Sequence, residues 1–163
     1  MLSQSLTSKS MAFVDNGHTY MKAFQQLLQE APMAPEFINP PEIAAPPSNI
    51  YNHVVKVGNT VFISGQVSRD LDGKTTHVGD PEAQIREAWA NLEIAVKAAG
   101  GSLTNIVKTT TYVVGVENLG KIRSGRLSLL PPEGRPTSTT LLVAGLADPD
   151  LLVEVEAIAV LGD

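Results

Sequence analysis

Between Asp80 and Gly101 the chain spells out one helix from start to stop, and that segment constrains what surrounds it. Asp80 is suited to cap the first turn, accepting from backbone N–H groups that have no partner inside the helix. Pro81 follows at the first helical position, where its missing N–H costs nothing. Ile85, Ala88, Trp89, Leu92, Val96 and Ala99 recur at helical spacing and form one apolar face. Gly100-Gly101 ends the run, because glycine enters the left-handed cap conformation freely. A helix with a single apolar stripe must lay it on another layer.

The flanking sequence supplies a sheet. Residues 53–57 and 60–67 are rich in β-branched side chains, with Gly58-Asn59 between them, the pattern of a two-residue hairpin. Residues 68–79 are polar, contain Asp72-Gly73 and read as a loop. Residues 106–114 form a threonine-rich strand. Residues 117–130 predict a weaker helix, interrupted by Gly120 and Gly125 and stopped by Pro131-Pro132. Residues 137–143 and 151–160 are the last two strands. The order β-β-α-β-α-β-β predicts an α+β domain with two helices on one face of a sheet.

Upstream of this domain, expected over residues 48–163, two further stretches stand out. Residues 1–35 begin Ser/Thr-rich and then place Tyr20, Met21, Phe24, Leu27, Leu28 and Ala31 at helical spacing. Such an amphipathic helix is expected to pack on its own domain or on a neighbouring subunit, since its polar face lacks the Lys/Arg richness of membrane binders. Residues 36–47 are proline-rich and read as an extended linker or a wrapped arm.

Composition removes several function classes. The formal net charge of −5, without a Lys/Arg cluster, argues against nucleic acid as a partner. With no cysteine there are no disulfides, thiol nucleophiles or Cys-based metal sites. No apolar run has the length of a membrane span and the start makes a poor secretory signal, so a cytoplasmic protein without membrane association is expected. The three histidines His18, His53 and His77 have no metal-ligand spacing. No phosphate-cradling glycine loop occurs, so a nucleotide cofactor is not indicated, and without a GxSxG elbow a Ser-His-acid triad is not expected.

Carboxylates are more informative. Glu154 and Glu156 lie two apart in a predicted strand, so both point to one face about 7 Å apart. Either that face meets solvent, or it meets a site in which a partly buried glutamate has a raised pKa and handles protons near neutral pH. Tyr51 and His53 alternate in an extended segment and share a face, most simply that of a half-exposed strand edge. Arg123 sits on the weaker helix as a surface residue.

Several short words occur together: Tyr51-Asn52-His53, Val57-Gly58-Asn59, Phe62-Ile63-Ser64-Gly65-Gln66, residues 105–111 (NIVKTTT), Arg135-Pro136 and residues 153–159 (VEVEAIA). In this order and spacing the chain resembles the RidA/YjgF family, also called endoribonuclease L-PSP. The resemblance implies a chorismate-mutase-like fold, a homotrimer with clefts between subunits, and cofactor-free hydrolysis of small enamines and imines such as 2-aminoacrylate. It also implies roles. Tyr51 corresponds to a cleft tyrosine, Ser64 and Gly65 to the cleft floor, Glu154 to the glutamate that orients water, and Thr140 to a further cleft position. One word departs from the family: Arg135-Pro136-Thr137-Ser138 has serine where the deaminases carry a carboxylate-binding arginine. A hydroxyl does not replace a bidentate guanidinium. The expected activity is therefore an enamine/imine deaminase with altered substrate preference, in which Ser138, Thr140 and Arg123 bind the distal polar group. The same cleft also suits a non-catalytic trimer that binds a small metabolite. RNA cleavage, the activity in the family's older name, sits badly with the acidic balance.

Overall fold

A computed structural model describes residues 34–130 and 133–162. The amphipathic segment expected at residues 18–31 and the Pro131-Pro132 stop lie outside the described residues.

Strands β1 (Glu36–Ile38), β2 (Val54–Val57), β3 (Thr60–Gln66), β4 (Ile106–Val114), β5 (Thr137–Val143) and β6 (Val153–Val160), with helices α1 (Pro81–Ala98) and α2 (Leu119–Leu127), follow the expected order with one addition. The sheet has six strands in the order β1-β2-β3-β6-β4-β5. Every pairing is antiparallel except β4 with β5, which α2 connects as a parallel pair. The addition is β1, three residues of the proline-rich stretch that pair with β2. The fold thus begins upstream of Ser48: Pro40, Ile43 and Pro46 are also buried, so this stretch is an arm packed on the domain. The sequence hides β1 because its short run stands between prolines.

The helix α1 forms for the reasons its sequence gives. The Asp80 carboxylate accepts from the N–H groups of Glu82 and Ala83, both at 3.1 Å. Its apolar face packs into one core with α2 and one face of the sheet: Ile85, Trp89, Leu92 and Val96 meet Val61, Ile63, Val113, Val155 and Ala157. Alternation along β6 divides the sheet's faces. Val153, Val155, Ala157 and Ala159 are buried under the helices, whereas Glu154, Glu156 and Ile158 point to the other face. That other face is open, with Phe62 and Leu141 exposed. Gly58 turns the β2–β3 hairpin at φ 58°, a conformation costly for residues with a Cβ. Among the described residues no helix is long and apolar enough to cross a membrane.

Gln84 locks α1 to the segment that leads into β6. It is fully buried; its Nε2 donates to the Asp150 carbonyl at 2.8 Å, and its Oε1 accepts from the Leu152 N–H at 2.8 Å. Gln84→Leu keeps the apolar bulk and strands both backbone groups. Denaturant unfolding is expected to show a loss of about 2–4 kcal/mol, and a loss below about 0.5 kcal/mol would contradict this role.

Candidate functional site

The site begins at an irregularity. In the β3–β6 ladder Ile63 pairs with Ala157 and Gln66 with Val155, so three steps along β3 match two along β6. The extra residue makes a bulge at Ser64-Gly65, a feature that re-aims side chains and interrupts pairing. The Ser64 N–H donates to the His53 carbonyl at 2.9 Å, and its Oγ donates to the Asn52 carbonyl at 2.6 Å. These bonds hold the bulge against the segment that carries Tyr51.

Glu154 fills the space the bulge opens. Its carboxylate lies over Gly65 so closely that a methyl group at position 65 would overlap the Oε1 atom. Here glycine is required for close approach rather than for its φ. Tyr51, Ser64, Gly65, Val67, Arg69, Ala147, Leu151 and Glu154 line a cavity of about 290 Å³. Burial raises the Glu154 pKa above the ordinary glutamate range, and the negative charge of Glu156 raises it further; the Arg69 cation opposes both. Glu156 does not share this cavity. It lines an adjoining groove of about 330 Å³ on the open sheet face with Phe62, Lys108 and Thr110, and groove and cavity share Ser64. The two carboxylates, expected together from spacing, thus have different surroundings.

A third cavity, of about 340 Å³, shares Tyr51, Gly65, Val67 and Arg69 with the Glu154 cavity and continues to His53 and Asn91. His53 is not on a half-exposed strand edge. It is buried, its Nε2 is 2.8 Å from the Ala44 carbonyl oxygen, its Nδ1 is 3.2 Å from Gln66 Nε2, and its ring meets Tyr51 edge-on at 5.8 Å. The ring supports Tyr51.

Tyr51, Ser64, Gly65 and Glu154 therefore come together within one chain. Arg123, Ser138 and Thr140 do not join them. Arg123 is exposed because α2 turns Ile122 and Gly125 inward; Gly125 lets α2 approach Ile85 and Glu82 of α1. Ser138 and Thr140 stand on β5, two strands from β6 and in register with Thr109 and Thr111, which are buried on the helix side. They face away from Glu154. Ser138 accepts a hydrogen bond of 2.9 Å from Arg126 Nη1. Arg69 was invisible as a site residue in the sequence, where it is one cation in a polar loop; its only local signal is its nearness to the Ser64-Gly65 word.

Fold and cleft define a class: a small α+β protein whose open-faced sheet holds a partly desolvated glutamate at a bulge, beside a tyrosine and an arginine. Residues 42–161 match the family described as Endoribonuclease L-PSP. The chain is similar to a RutC family protein of Pyrococcus horikoshii, 32% identical over 120 residues that cover 72% of this chain and 92% of the relative. It is also similar to 3-aminoacrylate deaminase RutC of Acinetobacter baylyi, 30% identical over 125 residues, 77% of this chain and 98% of the relative. The 2-iminobutanoate/2-iminopropanoate deaminase of Dermatophagoides farinae is 26% identical over 129 residues, 79% of this chain and 99% of the relative. Among solved structures, RidA from an Antarctic Psychrobacter matches with a TM-score of 0.70 at 28% identity, covering 77% of this chain and 99% of that one. The chain belongs to the Endoribonuclease L-PSP family, the family of the RidA/YjgF proteins.

Proposed function

We propose that this protein is a hydrolytic deaminase of small imines and enamines, with Glu154 as its proton-transferring group. The observation that carries the reading is the Glu154 carboxylate, half-buried over Gly65 at the β3 bulge with its pKa raised. A carboxylate moved toward neutrality accepts a proton from water and then returns it, which the reaction needs. Water adds to the C=N carbon as Glu154 takes one of its protons and passes it to the nitrogen, giving a carbinolamine; Glu154 then takes the hydroxyl proton and delivers it to the same nitrogen as the C–N bond breaks, leaving a carbonyl compound and ammonia. Tyr51 forms a wall of the cavity and Ser64-Gly65 its floor. The deaminases named among the relatives support the reaction class. The test is ammonia release from imines generated in situ across a range of side chains. Acceleration over spontaneous hydrolysis by the purified protein is expected; no acceleration with any imine would refute the reading.

The cleft is completed, in this reading, by a second copy of the chain in a homotrimer. Ser138 and Thr140 lie on the wrong side of their own sheet to reach Glu154, and β5 is a seven-residue edge strand exposed along nearly its whole length, including Leu141 and Leu142. An edge of that length and apolar character normally needs covering. Light scattering is expected to give three times 17.3 kDa. A monomer at micromolar concentration would contradict it.

A further inference from the structure

Arg69 is the residue of the cavity that the proposed chemistry leaves unused. It follows β3, and its backbone bridges to Thr75, so the loop folds back and holds the side chain at the cleft. The side chain lines both the Glu154 cavity and the neighbouring cavity that shares Tyr51 with it. It is only 26% exposed. Its Nε–H is buried and has no acceptor among the described residues. Its ion pair with Asp148 is long, 4.0 Å from Nη2 to Oδ2. Asp148 is itself occupied, its Oδ1 accepting from the Asp150 N–H at 2.9 Å. A guanidinium offers five donors in a planar fork. One contact at the outer limit of an ion pair leaves that fork under-used in a partly desolvated cleft, where a planar carboxylate is its natural complement.

We propose that Arg69 is a specificity-determining residue of this cleft, pairing with the carboxylate of a small anionic ligand in competition with Asp148. The word substrate for that ligand rests on the hydrolase reading; the anion site rests on the geometry. Arg126 is the other arginine to consider. Its Nε–H likewise has no acceptor among the described residues, but its Nη1 donates to Ser138 and the guanidinium lies 5.8 Å from the centre of the Trp89 ring, on the helix side of the sheet, away from the Glu154 cavity of its own chain.

Binding of pyruvate and of its uncharged amide to the purified full-length protein, by titration calorimetry, tests this. Wild type is expected to prefer pyruvate by about 10- to 100-fold, the range of a hydrogen bond to a charged group. Arg69→Gln should erase the preference, Arg69→Lys should keep part of it, and Arg126→Gln, which tests the rival arginine that a second copy would bring with Ser138, should keep it. Asp148→Asn should increase it, because the competing carboxylate is gone. A purely structural Arg69–Asp148 pair predicts instead that Arg69→Gln and Asp148→Asn move binding in the same direction. No charge preference in wild type, a preference that survives Arg69→Gln in a folded protein, or one lost with Arg126→Gln overturns the proposal. Should Arg69→Gln fail to fold, Asp148→Asn decides: unchanged or weaker pyruvate binding overturns it. The two readings fail separately. Pyruvate binding through Arg69 without imine hydrolysis ends the hydrolase reading and keeps this one. Imine hydrolysis with the same KM for carboxylate and ester imines in wild type and Arg69→Gln does the reverse.

Discussion

Glu154→Gln is expected to lower kcat for imine hydrolysis by about 10²- to 10⁴-fold, the contribution of a positioned acid–base group. The amide keeps the side chain's size but cannot take the proton of the attacking water. The same substitution should make the protein more stable at neutral pH. A carboxyl whose folded pKa lies above its unfolded value favours the protonated native state. Its contribution to stability is therefore largest in acid, and stability falls as pH rises from the ordinary glutamate range, about 4.3, through the raised value of Glu154. Glutamine has no charge to desolvate. Thermal unfolding should show equal midpoints near about pH 4 and a higher midpoint for the variant near about pH 8. Lower stability of Glu154→Gln at the higher pH would show that the carboxylate is a structural anchor, not a strained functional group.

Gly65→Ala is expected to cut activity by about 10²-fold or more with little loss of stability. The added methyl overlaps the Glu154 carboxylate, and the side chain can swing away because the atoms it meets are the flexible end of a glutamate. Displacing a proton-transferring group by about 1 Å is enough for a loss of this size. Kinetics and denaturant unfolding on one preparation separate the two effects. A variant with wild-type kcat would mean that Glu154 does not act from its position over the bulge.

Local signals made most of the fold legible. The Asp80 cap, the Pro81 start and the Gly100-Gly101 stop bracket α1 as observed, and the period-two alternation of residues 153–160 separates a helix-packed face from an open one. These features depend on neighbours in sequence. The weaker helix runs only from Leu119 to Leu127, because its first residues form a 3-10 turn over Val116–Asn118. Four of the candidate site residues, Tyr51, Ser64, Gly65 and Glu154, were legible through the resemblance their words carry, and the fold brings them into one cavity. The rest depended on geometry that spacing does not encode. Whether Arg123 faces a cleft is set by which side of α2 meets α1, and Ile122 with Gly125 decide that. Ser138 and Thr140 are placed on the helix side by the parallel register of β5 on β4. Arg69 enters the cavity through the path of a loop, and Glu156 parts from Glu154 because the bulge opens space beside only one of them.

Whether Glu154 is the base of the reaction is decided by the pH dependence of kcat/KM for ammonia release, measured on wild type and Glu154→Gln with the spontaneous rate subtracted. Wild-type activity is expected to rise with pH through an inflection above the ordinary glutamate range, as Glu154 becomes the ionised base, and this limb is expected to disappear in the variant. A wild-type profile without that limb, or the same limb persisting in Glu154→Gln, would contradict that role.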